Sequence, residues 1–142
     1  MAKTSYQVAG QIFQAEGGAA SISRGYKTVS LTIGSALAET EEFDATGFPG
    51  GMVHLAGTVW TAANIGFKVS PTSGGSFAIL YDYLGAPVQI SGVGTAISGA
   101  YQIPDEFFPA GFVKLWSKST TAATITDTNQ GDARAITVVL KG

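Results

Sequence analysis

Period-two alternation, broken by glycine and proline about every ten residues, limits what this chain can fold into more than any other feature. Between Lys27 and Ile33, Val29, Leu31 and Ile33 alternate with Thr28, Ser30 and Thr32. Successive side chains of an extended backbone point to opposite faces, so such a run buries one face and wets the other. The same pattern predicts strands at Met52–Leu55, Ile65–Ser70, Ser76–Tyr83, Pro87–Ser91, Thr95–Gln102, Phe112–Ser117 and Ala133–Lys141. Phe48-Pro49-Gly50-Gly51, Pro71-Thr72-Ser73-Gly74-Gly75 and Leu84-Gly85-Ala86 supply turns between them. No apolar i, i+3, i+4, i+7 stripe persists for three helical turns. The one helical candidate, Asp105-Glu106-Phe107-Phe108, is held between Pro104 and Pro109 to about one turn.

About seven or eight short strands without helices predict an all-β fold, an antiparallel β-sandwich of jelly-roll type, over residues 26–142. Residues 1–25 follow no sustained period and contain Gly17-Gly18-Ala19-Ala20-Ser21, a run that brings little surface to bury. They are expected to form a flexible N-terminal arm that a partner orders, with Tyr6, Val8, Ile12 and Phe13 as its contact residues. A chain of 142 residues fits one domain and can bury roughly 68–70% of its unfolded surface, so no disulfide or structural metal is needed.

Charge narrows the function. Only 13% of residues are charged, against about 25% in typical domains, which points to faces covered by other molecules. The net charge of −2 gives no basic footprint for nucleic acid. Residues 45–67 and 83–104 lack charge, but glycine, proline and polar side chains interrupt both, so neither is expected to cross a membrane. The first residues lack the apolar core of a secretory signal, and the absence of cysteine suits assembly in a reducing cytoplasm.

Catalytic chemistry finds little support. There is no cysteine nucleophile, and His54, the single histidine, lies inside the strand Met52–Leu55, where it faces away from the core if Val53 and Leu55 face inward. Glu39, Glu41, Glu42 and Asp44 form an acidic cluster, but adjacent carboxylates in an extended chain diverge and no tight-loop glycine accompanies them. The cluster reads as a solvated loop or a complement to a partner's basic patch, with Glu41 and Glu42 as candidate contacts. Asp127-Thr128-Asn129-Gln130-Gly131-Asp132 superficially resembles a calcium loop, but Gly131 takes a ligand position and the closing Glu is missing, so it reads as a turn bonded to local backbone. Asp105 and Glu106 are sequence neighbours and do not face each other across a sugar. Gly92-Val93-Gly94 has no helix after it to cradle a phosphate. No catalytic residue, cofactor or metal site is assigned.

Most aromatic residues fit a core, but Trp60 lies among polar and small residues in Gly57–Asn64, which reads as an exposed loop and makes Trp60 a candidate interface residue. A stacking platform of Trp60 and Tyr83 for carbohydrate is the alternative use.

The order of motifs resembles a group of small virion proteins of tailed bacteriophages. The matching pieces are Lys27-Thr28-Val29-Ser30-Leu31, the strand led by Pro49-Gly50-Gly51, Val59-Trp60-Thr61, Phe67-Lys68-Val69-Ser70 and Gly75-Ser76-Phe77 with Leu80-Tyr81-Asp82. Phe112–Ser117 follows, and then the most distinctive piece, Asn129-Gln130-Gly131 leading to Arg134-Ala135-Ile136-Thr137-Val138-Val139-Leu140-Lys141. The resemblance implies a capsid decoration, or cement, protein. Such a protein is a homotrimer with a jelly-roll body that binds the major capsid protein on the outer capsid surface. Tail, baseplate or fibre components share such folds and are the alternative location.

Overall fold

The computed structural model of the chain describes residues 4–8, 11–16, 19–22, 25–56, 60–93, 99–121 and 125–142. Strands β4 (Tyr26–Ile33), β5 (Phe43–Asp44), β6 (Gly50–Leu55), β7 (Ala63–Ser70), β8 (Ala78–Ile79), β9 (Gln89–Val93), β10 (Gly99–Gln102), β11 (Phe112–Lys118) and β12 (Arg134–Lys141) make the body. They form two antiparallel sheets, one ordered β10-β6-β12-β4, the other β5-β11-β7-β8 with β9 also on β7.

The sheets are the two layers of a sandwich, because a single buried cluster draws Leu31, Val53 and Ile136 from one and Phe67, Ile90 and Leu115 from the other. Counted from β4, with β8 and β9 as one interrupted strand, the orders are 1-8-3-6 and 2-7-4-5. That is the winding of a jelly roll: an antiparallel ribbon, β4 on β12, β5 on β11, β6 on β10 and β7 on β8/β9, rolled on itself. Its open end carries both ends of the body, where the Gly142 amide donates to the Gly25 carbonyl at 2.7 Å.

Alternation places the side chains as read. In β6, Val53 and Leu55 are buried while Met52 and His54 face out, and in β12, Ile136, Val138 and Leu140 are buried between outward Ala135, Thr137 and Val139. A 3-10 helix, Asp105–Ala110, replaces the single turn expected after Pro104. It drops Phe107 into the core, 6.0 Å from the Phe43 ring and edge-on to Phe67 at 5.3 Å.

Three differences from expectation have physical causes. The predicted strand Ser76–Tyr83 narrows to Ala78–Ile79, because Asp82 folds the chain into a turn immediately beyond it. Pairing between β7 and β9 shifts register between Ala63 and Ile65, a bulge within that pair, while the turn between Leu80 and Val88 separates β9 from β8 along the same edge. The segment expected as an arm contains β1 (Thr4–Val8), β2 (Gln11–Glu16) and β3 (Ala19–Ile22), an antiparallel meander whose strands pair with one another.

Candidate docking surface

The most distinctive surface feature grows from the turn after β8. Tyr81 bridges Pro87, and within that frame the Asp82 carboxylate accepts the amides of Leu84 and Ala86, both at 2.9 Å. The Asp82 amide donates to the Ala86 carbonyl at 2.8 Å, and the Gly85 amide to the Asp82 carbonyl at 3.0 Å. Gly85 has φ of +83°, a conformation open to glycine at no steric cost. At the root, Leu80 donates to the Phe67 carbonyl and Val88 to the Leu80 carbonyl, tying the loop to the core strand β7.

The tip so fixed holds two large apolar side chains in water. Tyr83 is 93% exposed and Leu84 77%. Beside them a groove of about 650 Å³ is lined by Tyr81, Leu84, Pro87, Gln89 and Ile125, with Tyr81 and Ile125 themselves exposed. No lining residue is charged. An apolar surface on a backbone already fixed loses little entropy on docking, which is what a binding anchor requires.

The outer face of the five-stranded sheet has the opposite character. Trp116 stands opposite Gly66 in register and is buried there, although its strand direction points it outward. Lys68 covers it, with its ammonium 4.8 Å from the ring centroid. Lys68 pairs with Glu39 and reaches Asp127 at 4.0 Å, Lys114 reaches Glu39 at 3.8 Å, and Asp127 accepts the Trp116 indole N–H at 2.5 Å. Lys118, also outward by register but fully buried, donates to Gln89 Oε1 at 2.7 Å and to the Ser119 and Thr121 carbonyls, and burial pushes its ammonium pKa down.

The candidate residues read from the sequence are dispersed. Glu42 is bound locally, accepting the Ser73 hydroxyl at 2.5 Å and the Gly74 amide, and these bonds hold its carboxyl below the ordinary value. Asp44 is held low by its hydrogen bonds with Thr46. Glu39 serves the lysine network, and Glu41 is left as an exposed acid of the cluster. Among the described residues no group of three or more His, Asp or Glu side chains is arranged to hold a metal. The backbones of Tyr6, Val8, Ile12 and Phe13 lie in β1 and β2, with Tyr6 opposite Phe13, while their side chains lie outside the described residues.

Trp60 corrects the reading of an exposed loop. It is 0% exposed, packs in the core cluster and donates its indole N–H to the Ala56 carbonyl at 3.2 Å, so it is no surface contact or sugar platform. The cause is Gln130, buried in the chain's closing motif, 69 positions from Thr61. Its carboxamide accepts the Thr61 amide at 2.9 Å and donates to the Thr61 carbonyl at 3.0 Å and the Ser117 hydroxyl at 2.8 Å. Gln130 draws the segment inward, a role local sequence does not signal. Nor is 127–132 closed on local backbone alone, since the Gly131 amide also donates to the Thr61 hydroxyl. Leu84 and Ile125 are the surface residues that sequence reading missed; Asp82-Tyr83-Leu84-Gly85 holds the signal, a turn whose central positions are apolar.

No family model matches the chain, and no curated protein does. Among solved structures, the chain is similar to the crystal structure of the SPBc2 prophage-derived protein YomS, with a TM-score of 0.44 and 13% identity. That likeness covers 82% of this chain and 95% of the other, and is too distant to assign a family or a function.

Proposed function

We propose that the chain is a structural protein of a bacteriophage virion, a capsid decoration protein that binds the outer surface of the major capsid protein and reinforces the shell. The observation that carries this reading is the Asp82-pinned tip, which holds Tyr83 and Leu84 in solvent beside an uncharged groove. A chain with no assigned chemistry and a rigid apolar anchor suits a mechanical role. The motif order from Lys27 to Lys141 supports a virion protein, and the low charge suits a body covered by the shell and by copies of itself, as a homotrimer. Several weak anchors on one oligomer then add affinity by multivalency.

Sedimenting the purified chain with expanded capsid shells and with isolated tails tests this. Saturable binding to shells, lost in Tyr83→Asp and Leu84→Asp, is the expected result. Binding to tails alone moves the protein to the tail, and binding to neither removes the virion reading.

A further inference from the structure

The outer face of the four-stranded sheet is as bare as the other outer face is decorated. Register aligns Ser30, Thr137, His54 and Ala100 in one row straight across all four strands. The adjacent row is Thr28, Val139, Met52 and Gln102. Every one of these side chains points away from the core, as the alternating burial of β4, β6, β10 and β12 requires. Among the described residues the face carries a single charge, Lys141, and that sits at the margin with its ammonium 5.7 Å from the Tyr26 ring. The sheet's two other charges do not lie on this face: Lys27 has the inward register of Val29 and Leu31 and gives its ammonium to the Asp44 carbonyl at 2.8 Å, and Arg134 is buried. A sheet face left in water normally carries charge, which keeps it soluble and prevents stacking.

We infer that this uncharged face is an interface between copies of this chain. A second copy is the occupant that the charge pattern favours. A face without charge at its centre meets a copy of itself, in any orientation, with no like-charge repulsion and no ion left unpaired on burial, whereas a strongly charged partner would find nothing to pair with. The size also fits. With strands about 4.8 Å and rows about 6.8 Å apart, the four outward positions of β4 and of β12, the three of β6 and the two of β10 cover roughly 400 Å² in projection, and side-chain relief brings this toward the ~800 Å² per partner of a standard interface. Three of the four side chains in the central row, Ser30, Thr137 and Ala100, are short, with His54 the exception, so two backbones can approach closely over most of it. In the homotrimer proposed above, three such faces would line the axis. The inference therefore rests on the self-association in that reading but not on binding to a capsid.

Sedimentation velocity and native mass spectrometry of the full chain at about 5–100 μM test it. The expected wild type is an oligomer of the 14.6 kDa chain. Thr137→Lys and Ser30→Lys, each placing an ammonium in the central row, should weaken association at least tenfold while far-UV circular dichroism and melting stay as in wild type. Thr121→Lys, exposed on a loop elsewhere, should leave association unchanged. Ser30 lies on an edge strand, where lysine is well tolerated, so it keeps the test valid if Thr137→Lys misfolds. A monomeric wild type, or an oligomer indifferent to both face variants, overturns the inference. An oligomer that behaves as expected yet binds no shell leaves it standing and removes only the capsid reading.

Discussion

Gly66 and Trp116 face each other across β7 and β11, and a Cβ added at Gly66 would lie 2.9 Å from Trp116 Cε3. The glycine is a seat for the indole. It allows a tryptophan on the outward side of a sheet to be buried, with Lys68 over it and Asp127 on its N–H.

Gly66→Ala should therefore lower stability by about 1–3 kcal/mol through overpacking. Urea unfolding checks this, and a red shift of the folded-state emission in a Trp60→Phe background, where Trp116 is the one remaining indole, would locate it at Trp116.

Gln130→Ala removes both bonds to the Thr61 backbone, which are part-buried, and the bond to the buried Ser117 hydroxyl, and leaves a cavity where a fully buried side chain stood. A loss of about 2–4 kcal/mol is expected. Trp60 should become accessible to acrylamide quenching before global unfolding, since Gln130 is what holds its neighbour in place.

Asp82→Ala keeps Tyr83 and Leu84 but frees their backbone. Global stability should fall by less than about 1 kcal/mol, because the released amides are exposed to water. Amide exchange at Leu84 and Ala86 should quicken, and shell binding should weaken several-fold from lost preorganisation alone.

Acid should loosen the 39–46 loop first. Bonds from Ser73 and Gly74 hold Glu42 below its ordinary 4.5, and bonds with Thr46 hold Asp44 below 3.8. A carboxyl whose folded pKa is depressed contributes stability that is full above the unfolded value and disappears as pH falls through the folded one. Melting temperature should thus begin to drop below about pH 4.5, and Glu42→Gln should flatten that part of the pH profile.

Removing residues 1–24, which spares the Gly25 bond to Gly142, should leave the melting temperature of the body close to that of the full chain, because β1, β2 and β3 pair among themselves. Differential scanning calorimetry of the truncated chain checks this.

Much of the sandwich was legible because its strands alternate. Lys27–Ile33, Ile65–Ser70, Phe112–Ser117 and Ala133–Lys141 match β4, β7, β11 and β12 to within two residues at either end. The two-residue β5 was illegible, since Phe43-Asp44 is too short to show a period and is defined only by its pairing with Phe112 and Val113. Trp60 misled because burial there is imposed by Gln130 across the fold and not by neighbours in sequence. The docking tip was half legible: Tyr83 stood out as an aromatic, but its exposure follows from the Asp82 hydrogen bonds, which only the folded turn displays.

The rolled ribbon leaves both ends of the body at its open end, Tyr26 beside Lys141 and Gly25 bonded to Gly142. Tension applied between those two ends would part β4 from β12 one rung at a time, the way a zip opens, at low force. Load spread over the sheets must instead break many rungs together. A molecule of this shape is mechanically weak when tugged by its termini and strong when gripped by its flanks, so anything it fastens must be held by the tip and the faces.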